Sequence, residues 1–292
     1  MPRVNKVVEL WEQGQPVYYT GVHGELTYEA GVGLARTWAD YISIDMEHGP
    51  FDLKDLQAFM RGLAAGGPTK SGHRTPAVVV TPPVNGVSEE EVRANAWMFR
   101  QLLARGIHGI LLCHAESPAA VKAFVECCRY PFQTIGQDKG LGVGRRGAGG
   151  QAEAAEIWGL SVDDYLERAD PSPLNPKGEL MLGLKIENRR ALANAEVNVK
   201  TPGISFAEWG PGDMAMSFGY PNRHDPPYPK EMLEARNRVL AACKAAGAAF
   251  LEGITEEDVV DKIKEGVRIG AGRGGEKAAD KGRRYTKRTM PW

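Results

Sequence analysis

The stretch Tyr41-Ile42-Ser43-Ile44-Asp45-Met46-Glu47-His48-Gly49-Pro50 leads into Leu53, Leu56, Met60 and Leu63, stops at Gly66, and is followed by Ala77-Val78-Val79-Val80. A short apolar run that does not alternate with polar residues reads as a strand covered on both faces, the usual state of a parallel sheet. The apolar residues after it recur at helical spacing, and glycine is a favoured helix stop. Strand, polar turn, helix and strand together make one βα unit.

Outward from this stretch the unit repeats. Further strand-like runs are Val17-Tyr18-Tyr19-Thr20, Gly109-Ile110-Leu111-Leu112, Leu180-Met181-Leu182-Gly183-Leu184, Ile204-Ser205-Phe206, Ala248-Ala249-Phe250-Leu251 and Val267-Arg268-Ile269, which brings the count to eight. Between them, Val92, Ala96, Phe99 and Leu103 carry the helical period, as do Val121, Phe124, Val125 and Cys128 behind a Ser117-Pro118 start. The fold expected is α/β, a single-domain (β/α)8 TIM barrel over residues 1–272, with a doubly wound open sheet as the competing arrangement. Periodicity lapses between Ala115 and Glu179. There the glycine-rich segment from Gly140 to Gly150, with Arg145 and Arg146, reads as a long basic loop or lid after the fourth strand, poised over an anionic substrate. Residues 273–292 hold seven Lys or Arg against two acids and read as a mobile basic tail or a subunit-packing arm.

Thirty-six basic side chains against 37 acidic ones leave a formal charge of -1, so no global field points to nucleic acid or an anionic membrane as partner. No apolar run reaches the roughly 20 residues needed to cross a bilayer. The start, Met1-Pro2-Arg3-Val4-Asn5-Lys6, carries no apolar signal core, and a cytoplasmic protein is expected. Cys113, Cys127, Cys128 and Cys243 lack metal or redox spacing and read as reduced, buried residues.

In a parallel barrel, functional groups lie where strands end at their carboxyl side. The run Tyr41 to Ile44 delivers Asp45, Glu47 and His48 within four residues. An imidazole beside a carboxylate can serve as an oriented base near neutral pH; a rim histidine that caps the next helix is the plainer alternative. Glu187 follows the fifth run and Asp213 the sixth, 26 residues apart, close enough to one βα unit for both to converge on a hard divalent cation. Helix capping by Asp213 is the competing reading. His114 directly follows the fourth run and shares the ambiguity of His48.

Asp45-Met46-Glu47-His48-Gly49-Pro50, Lys185-Ile186-Glu187-Asn188 and Gly210-Pro211-Gly212-Asp213-Met214 resemble, in order and spacing, the three signatures of the HpcH/HpaI metal-dependent (class II) aldolases of 2-oxo acids. Weaker similarity runs from about residue 30 to residue 272. The resemblance implies a (β/α)8 barrel, commonly a hexamer built from dimers, that makes or breaks carbon–carbon bonds through an enolate stabilised by Mg²⁺ or Mn²⁺, with Co²⁺ as a third option. It implies Glu187 and Asp213 as metal ligands, Glu47 as holder of a metal-bound water, His48 with Asp45 as acid and base, and the backbone at Gly212 as receiver of the substrate carboxylate. Lys185 is not a Schiff-base position in that family. One departure stands out: the family's third strand ends in an arginine facing the keto oxygen, and here it ends in Thr81. Arg145 or Arg146 from the long loop is expected to replace that charge, and Thr81 and His114 to face the substrate. The functions implied are an aldolase or retro-aldolase, a metal-dependent decarboxylase of a 2-oxo diacid, or a non-catalytic barrel that binds a small acid.

Overall fold

The computed structural model describes residues 2–271 and 275–292. Its eight strands are β1 (Val17–Gly21), β2 (Tyr41–Asp45), β3 (Ala77–Thr81), β4 (Gly109–Leu112), β5 (Met181–Lys185), β6 (Phe206–Glu208), β7 (Ala249–Gly253) and β8 (Val267–Ala271). They pair in sequence order, all parallel, and β8 returns to β1 through Val17–Ile269 and Tyr18–Gly270. The barrel is closed, so the open doubly wound sheet is excluded and the chain is a (β/α)8 TIM barrel.

Strand parity divides the core in two. Val17, Tyr41, Val79, Leu111, Met181, Phe206, Leu251 and Ile269 point into the barrel, over a floor of Val7, Val8 and Leu10 from the helix Lys6–Glu12. Ile42, Ile44, Val78, Val80, Ile110, Leu182 and Leu184 point outward against Leu56, Phe59, Phe99 and Phe124 of the surrounding helices. Burial on both faces explains why the strand runs do not alternate. Gly183 makes room for an inward neighbour: a Cβ there would lie 2.2 Å from the Phe206 ring.

Two expectations change. The segment after β4 contains the helices Gln151–Trp158 and Val162–Arg168, and its glycine-rich loop docks at the C-terminal end of the helix Pro118–Cys128. That end lies away from the carboxyl ends of the strands, so the loop is no lid. The Arg145 N–H donates to the Glu126 carbonyl at 2.7 Å, and the Arg146 N–H to the Arg129 carbonyl at 2.8 Å. The Arg146 guanidinium is buried, 4.5 Å above the Tyr130 ring, and donates to the Tyr165 hydroxyl. Glycines with positive φ at 140, 147, 149 and 150 let the chain double back, and two aromatic faces attract the cation more strongly than an open rim could. Arg145 and Arg146 are therefore withdrawn as substrate contacts.

Residues 275–292 are likewise no free tail. The helix Gly275–Tyr285 and the segment after it lie on the barrel's N-terminal face, where Arg288 meets the buried Asp40 at 2.8 and 2.9 Å. Lys6 and Arg283 reach the same carboxylate at 3.1 and 3.3 Å. The expected boundary at 272/273 falls outside the described residues. The four cysteines are buried and unpaired, and among the described residues no helix is long and apolar enough to cross a membrane.

Candidate active site

At the opposite, carboxyl-terminal end of the strands the chain brings its acids together. Asp45 is the last residue of β2; one carboxylate oxygen accepts the backbone N–H groups of Glu47 (2.9 Å) and His48 (3.1 Å), and the other lies 2.9 Å from His48 Nδ1. Burial pushes Asp45 up, but these hydrogen bonds outweigh it and hold the carboxyl below its ordinary range. The bond to Asp45 raises His48 above the ordinary histidine value, and the side chain stays 64% exposed to the space above the barrel. Asp45 so fixes the ring through Nδ1 and leaves Nε2 for a ligand.

Glu187 stands two residues beyond the end of β5 and is buried. It accepts the His114 backbone N–H at 2.9 Å, and the His114 ring lies 3.3 Å from Glu187 and 3.9 Å from Glu47. His114 adopts a φ of 42°, a conformation uncommon outside glycine, and Asn188 lies 3.3 Å from its Nδ1. Burial raises the Glu187 pKa, with Lys185 and His114 pulling the other way. Gly210 is needed where it stands, since a Cβ there would lie 2.7 Å from the Glu187 carboxylate. Through this close approach the short helix Pro211–Ser217, with Gly212 and Asp213 in its first turn, starts beside Glu187.

Two groups of metal-ligating side chains have all their ligand atoms within 4.8 Å of one another: Asp45, Glu47 and His48, and Glu47, His114 and Glu187. Glu47 belongs to both and is more central than the sequence suggests. Asp213 belongs to neither.

Below these groups a cavity of 240 Å³ enters the barrel axis, lined by Tyr19, Tyr41, Ser43, Asp45, Thr81, Lys185 and Glu208 among others. Thr81 lies level with Asp45 in the sheet. Lys185 Nζ is 2.5 Å from Glu47 and 3.7 Å from Glu187. Burial disfavours its ammonium form, but Glu187, Glu208 and the bond to Glu47 prevail and raise its pKa. Glu208 is raised to about 7 by burial, with Glu187, Glu47 and Asp45 adding to the effect. Among the described residues no hydrogen bond reaches its carboxylate.

Sequence reading missed Glu208 because the sixth strand starts at Phe206 and not at Ile204, which turns a residue after the strand into its last inward position. It also left Lys185 unassigned, although Lys185 and Glu187 share parity in an extended segment and face the same way.

Four carboxylates, Asp45, Glu47, Glu187 and Glu208, thus surround one ammonium. Buried carboxylates without counter-charge are costly, and oxygen donors in this number suit a hard divalent cation. The residues present fit such an ion.

The sequence model of the family described as HpcH/HpaI aldolase/citrate lyase matches residues 32–274. The hydroxypyruvate/pyruvate aldolase of Deinococcus radiodurans is 29% identical over 219 residues, 75% of this chain and 65% of that protein. The 2-keto-3-deoxy-L-rhamnonate aldolase of Klebsiella pneumoniae is 28% identical over 214 residues, 73% of this chain and 67% of the relative. This chain thus spans about two thirds of each. A crystal structure of a family protein from Burkholderia cenocepacia superposes with a TM-score of 0.71 at 24% identity, covering 97% of this chain and 98% of that one.

Proposed function

From the HpcH/HpaI aldolase/citrate lyase family, to which this chain belongs, we propose that the protein is a divalent-metal-dependent aldolase that forms or cleaves a carbon–carbon bond beside a 2-oxo acid. The observation that carries this reading is the excess of carboxylate around Glu47, Glu187 and His114, adjoining the exposed His48–Asp45 pair. Glu187, with Asp213 from the neighbouring helix turn, would hold Mg²⁺, Mn²⁺ or Co²⁺, and Glu47 would steady a water beside it. When bound, such an ion supplies Lewis acidity toward a substrate keto oxygen.

The chain's own groups do the rest. His48 takes or returns the substrate proton at Nε2, and Asp45 stabilises the imidazolium that forms. The backbone at Gly212 and Asp213, at the start of a helix, offers N–H groups to the substrate carboxylate. Thr81 contributes a hydroxyl donor from β3, and His114 forms part of the wall next to Glu187.

The test is calorimetric titration of Mg²⁺ and Mn²⁺ into the protein and a Glu187→Ala variant, paired with NMR of deuterium uptake at the methyl group of pyruvate. Metal-dependent uptake that is lost in EDTA and in His48→Ala supports the reading; equal metal binding by both proteins sinks it. Assay of carbon dioxide release from oxaloacetate separates aldol chemistry from decarboxylation, and light scattering checks for the homo-oligomer that the resemblance implies.

A further inference from the structure

We infer that Lys185 is the positive charge that meets the substrate in this site. The inference rests on the aldolase reading above and deepens it. It starts from strand parity. The side chains that close the barrel interior include Asp45 on β2, Thr81 on β3, Lys185 on β5 and Glu208 on β6, and all four line the axial cavity. Among the described residues that line that cavity, Lys185 is the only lysine or arginine.

Its surroundings define what it can do. The side chain is 13% exposed, and Nζ stands between Glu47 at 2.5 Å and Glu187 at 3.7 Å, within the cluster proposed to hold the metal. An ammonium carries three donors, and the described residues engage one of them in a hydrogen bond, to Glu47. The others are available toward the cavity. Glu208 lies across from Lys185 in the register between β5 and β6, and among the described residues no hydrogen bond reaches its carboxylate.

A fixed cation beside a carbonyl oxygen stabilises the negative charge that gathers there when a neighbouring carbon–hydrogen or carbon–carbon bond breaks. The position opposite, Thr81, offers only a neutral hydroxyl. Lys185 makes no covalent bond in this account.

Oxalate, a planar dianion with two adjacent carboxylate groups, is the probe. Its binding is measured by calorimetry at saturating Mg²⁺ in the wild type, Lys185→Met, Lys185→Gln, and Lys185→Met combined with Thr81→Arg. Magnesium affinity is measured separately. The expected result is oxalate binding weakened about a hundredfold in both single variants, with magnesium binding unchanged or tighter because a competing cation has gone, and partial recovery in the double variant. A lysine that only supports the structure would not separate the two affinities in this way. Unchanged oxalate affinity in Lys185→Met and Lys185→Gln overturns the inference and leaves the aldolase reading standing. A wild type that binds no oxalate with magnesium overturns both. Borohydride treatment with pyruvate gives a further outcome: a reduced adduct found on Lys185 by mass spectrometry means that the residue acts as a nucleophile, and the inference fails.

Discussion

The two ends of the barrel hold charge in opposite ways. At the N-terminal face the buried carboxylate of Asp40 is met by Lys6, Arg283 and Arg288. The surplus cation there is absorbed inside the chain, because Arg283 also donates to the Trp38 carbonyl and Arg288 to that of Pro16. At the other face Asp45, Glu47, Glu187 and Glu208 crowd around Lys185, with His48 and His114 beside Asp45 and Glu187, so that among the described residues carboxylates outnumber the permanent cation. One end meets one acid with three cations of its own chain, and the other gathers four acids around one. A region built for stability and a region built for ligands can therefore be told apart by where the counter-charge comes from.

The strongest way to break this comparison is to exchange the phenotypes of the two ends. Asp40→Asn removes the carboxylate shared by Lys6, Arg283 and Arg288, of which Arg283 keeps Asp280 at 3.4 Å, and is expected to cost about 3–5 kcal/mol of stability, with metal affinity preserved in the molecules that remain folded. Glu187→Gln is expected to abolish metal-dependent turnover while leaving the melting temperature equal or higher, since it removes one of several crowded like charges. Denaturant unfolding alongside metal titration reads both, and a stable Asp40→Asn protein would refute the division.

A second test uses pH in metal-free protein. Asp40 is pulled below the ordinary carboxylate range when folded: burial raises it, but Arg288, Lys6 and Arg283 together lower it further. Its contribution is present at neutral pH and is lost as pH falls through and below about 3.9, the ordinary value for aspartate. Glu208 behaves in reverse: raised from 4.5 to about 7, its contribution is present below 4.5 and is lost as pH rises through about 7. Melting curves in EDTA should show Glu208→Gln gaining on the wild type between these values, whereas Asp40→Asn should differ most from it above pH 4.

Asp45→Asn sharpens the picture within the open end. The bond from Asp45 raises His48, so its removal should move the basic group in the pH–rate profile to lower pH and reduce the rate by about ten- to a hundredfold. An unmoved limb assigns the base elsewhere. The smallest effect is expected at the rim, where Arg190 pairs with Glu116 while largely exposed. Arg190→Met should leave the melting temperature nearly unchanged, because the guanidinium is largely in solvent and Glu116 keeps the Asn188 amide as a donor.

The barrel was legible because each strand is buried on both faces and each helix on one, and these burial patterns leave different spacings in the sequence. Asp45, Glu47, His48 and Glu187 were legible for the same reason: they follow strands directly, and the end of a strand fixes where the next side chain goes. Arg146 was not, since the path of a glycine-rich loop depends on positive backbone angles and on two rings, Tyr130 and Tyr165, that lie elsewhere in the sequence. Glu208 escaped through a two-residue displacement of one short strand. His114 could be seen as a strand-end residue, but its closeness to Glu47 and Glu187 depends on a left-handed turn that no spacing announces.

The clamp at Asp40 has a consequence for how the molecule is assembled. Asp40 and Arg288 are 248 positions apart, so the contact cannot form until nearly the whole described chain has been made and gathered. Contacts at such separation carry a high loop-closure cost and slow folding. All eight strands precede Arg283 and Arg288, so the ring can close before its base is capped, and until then Asp40 has Lys6 alone of its three cations.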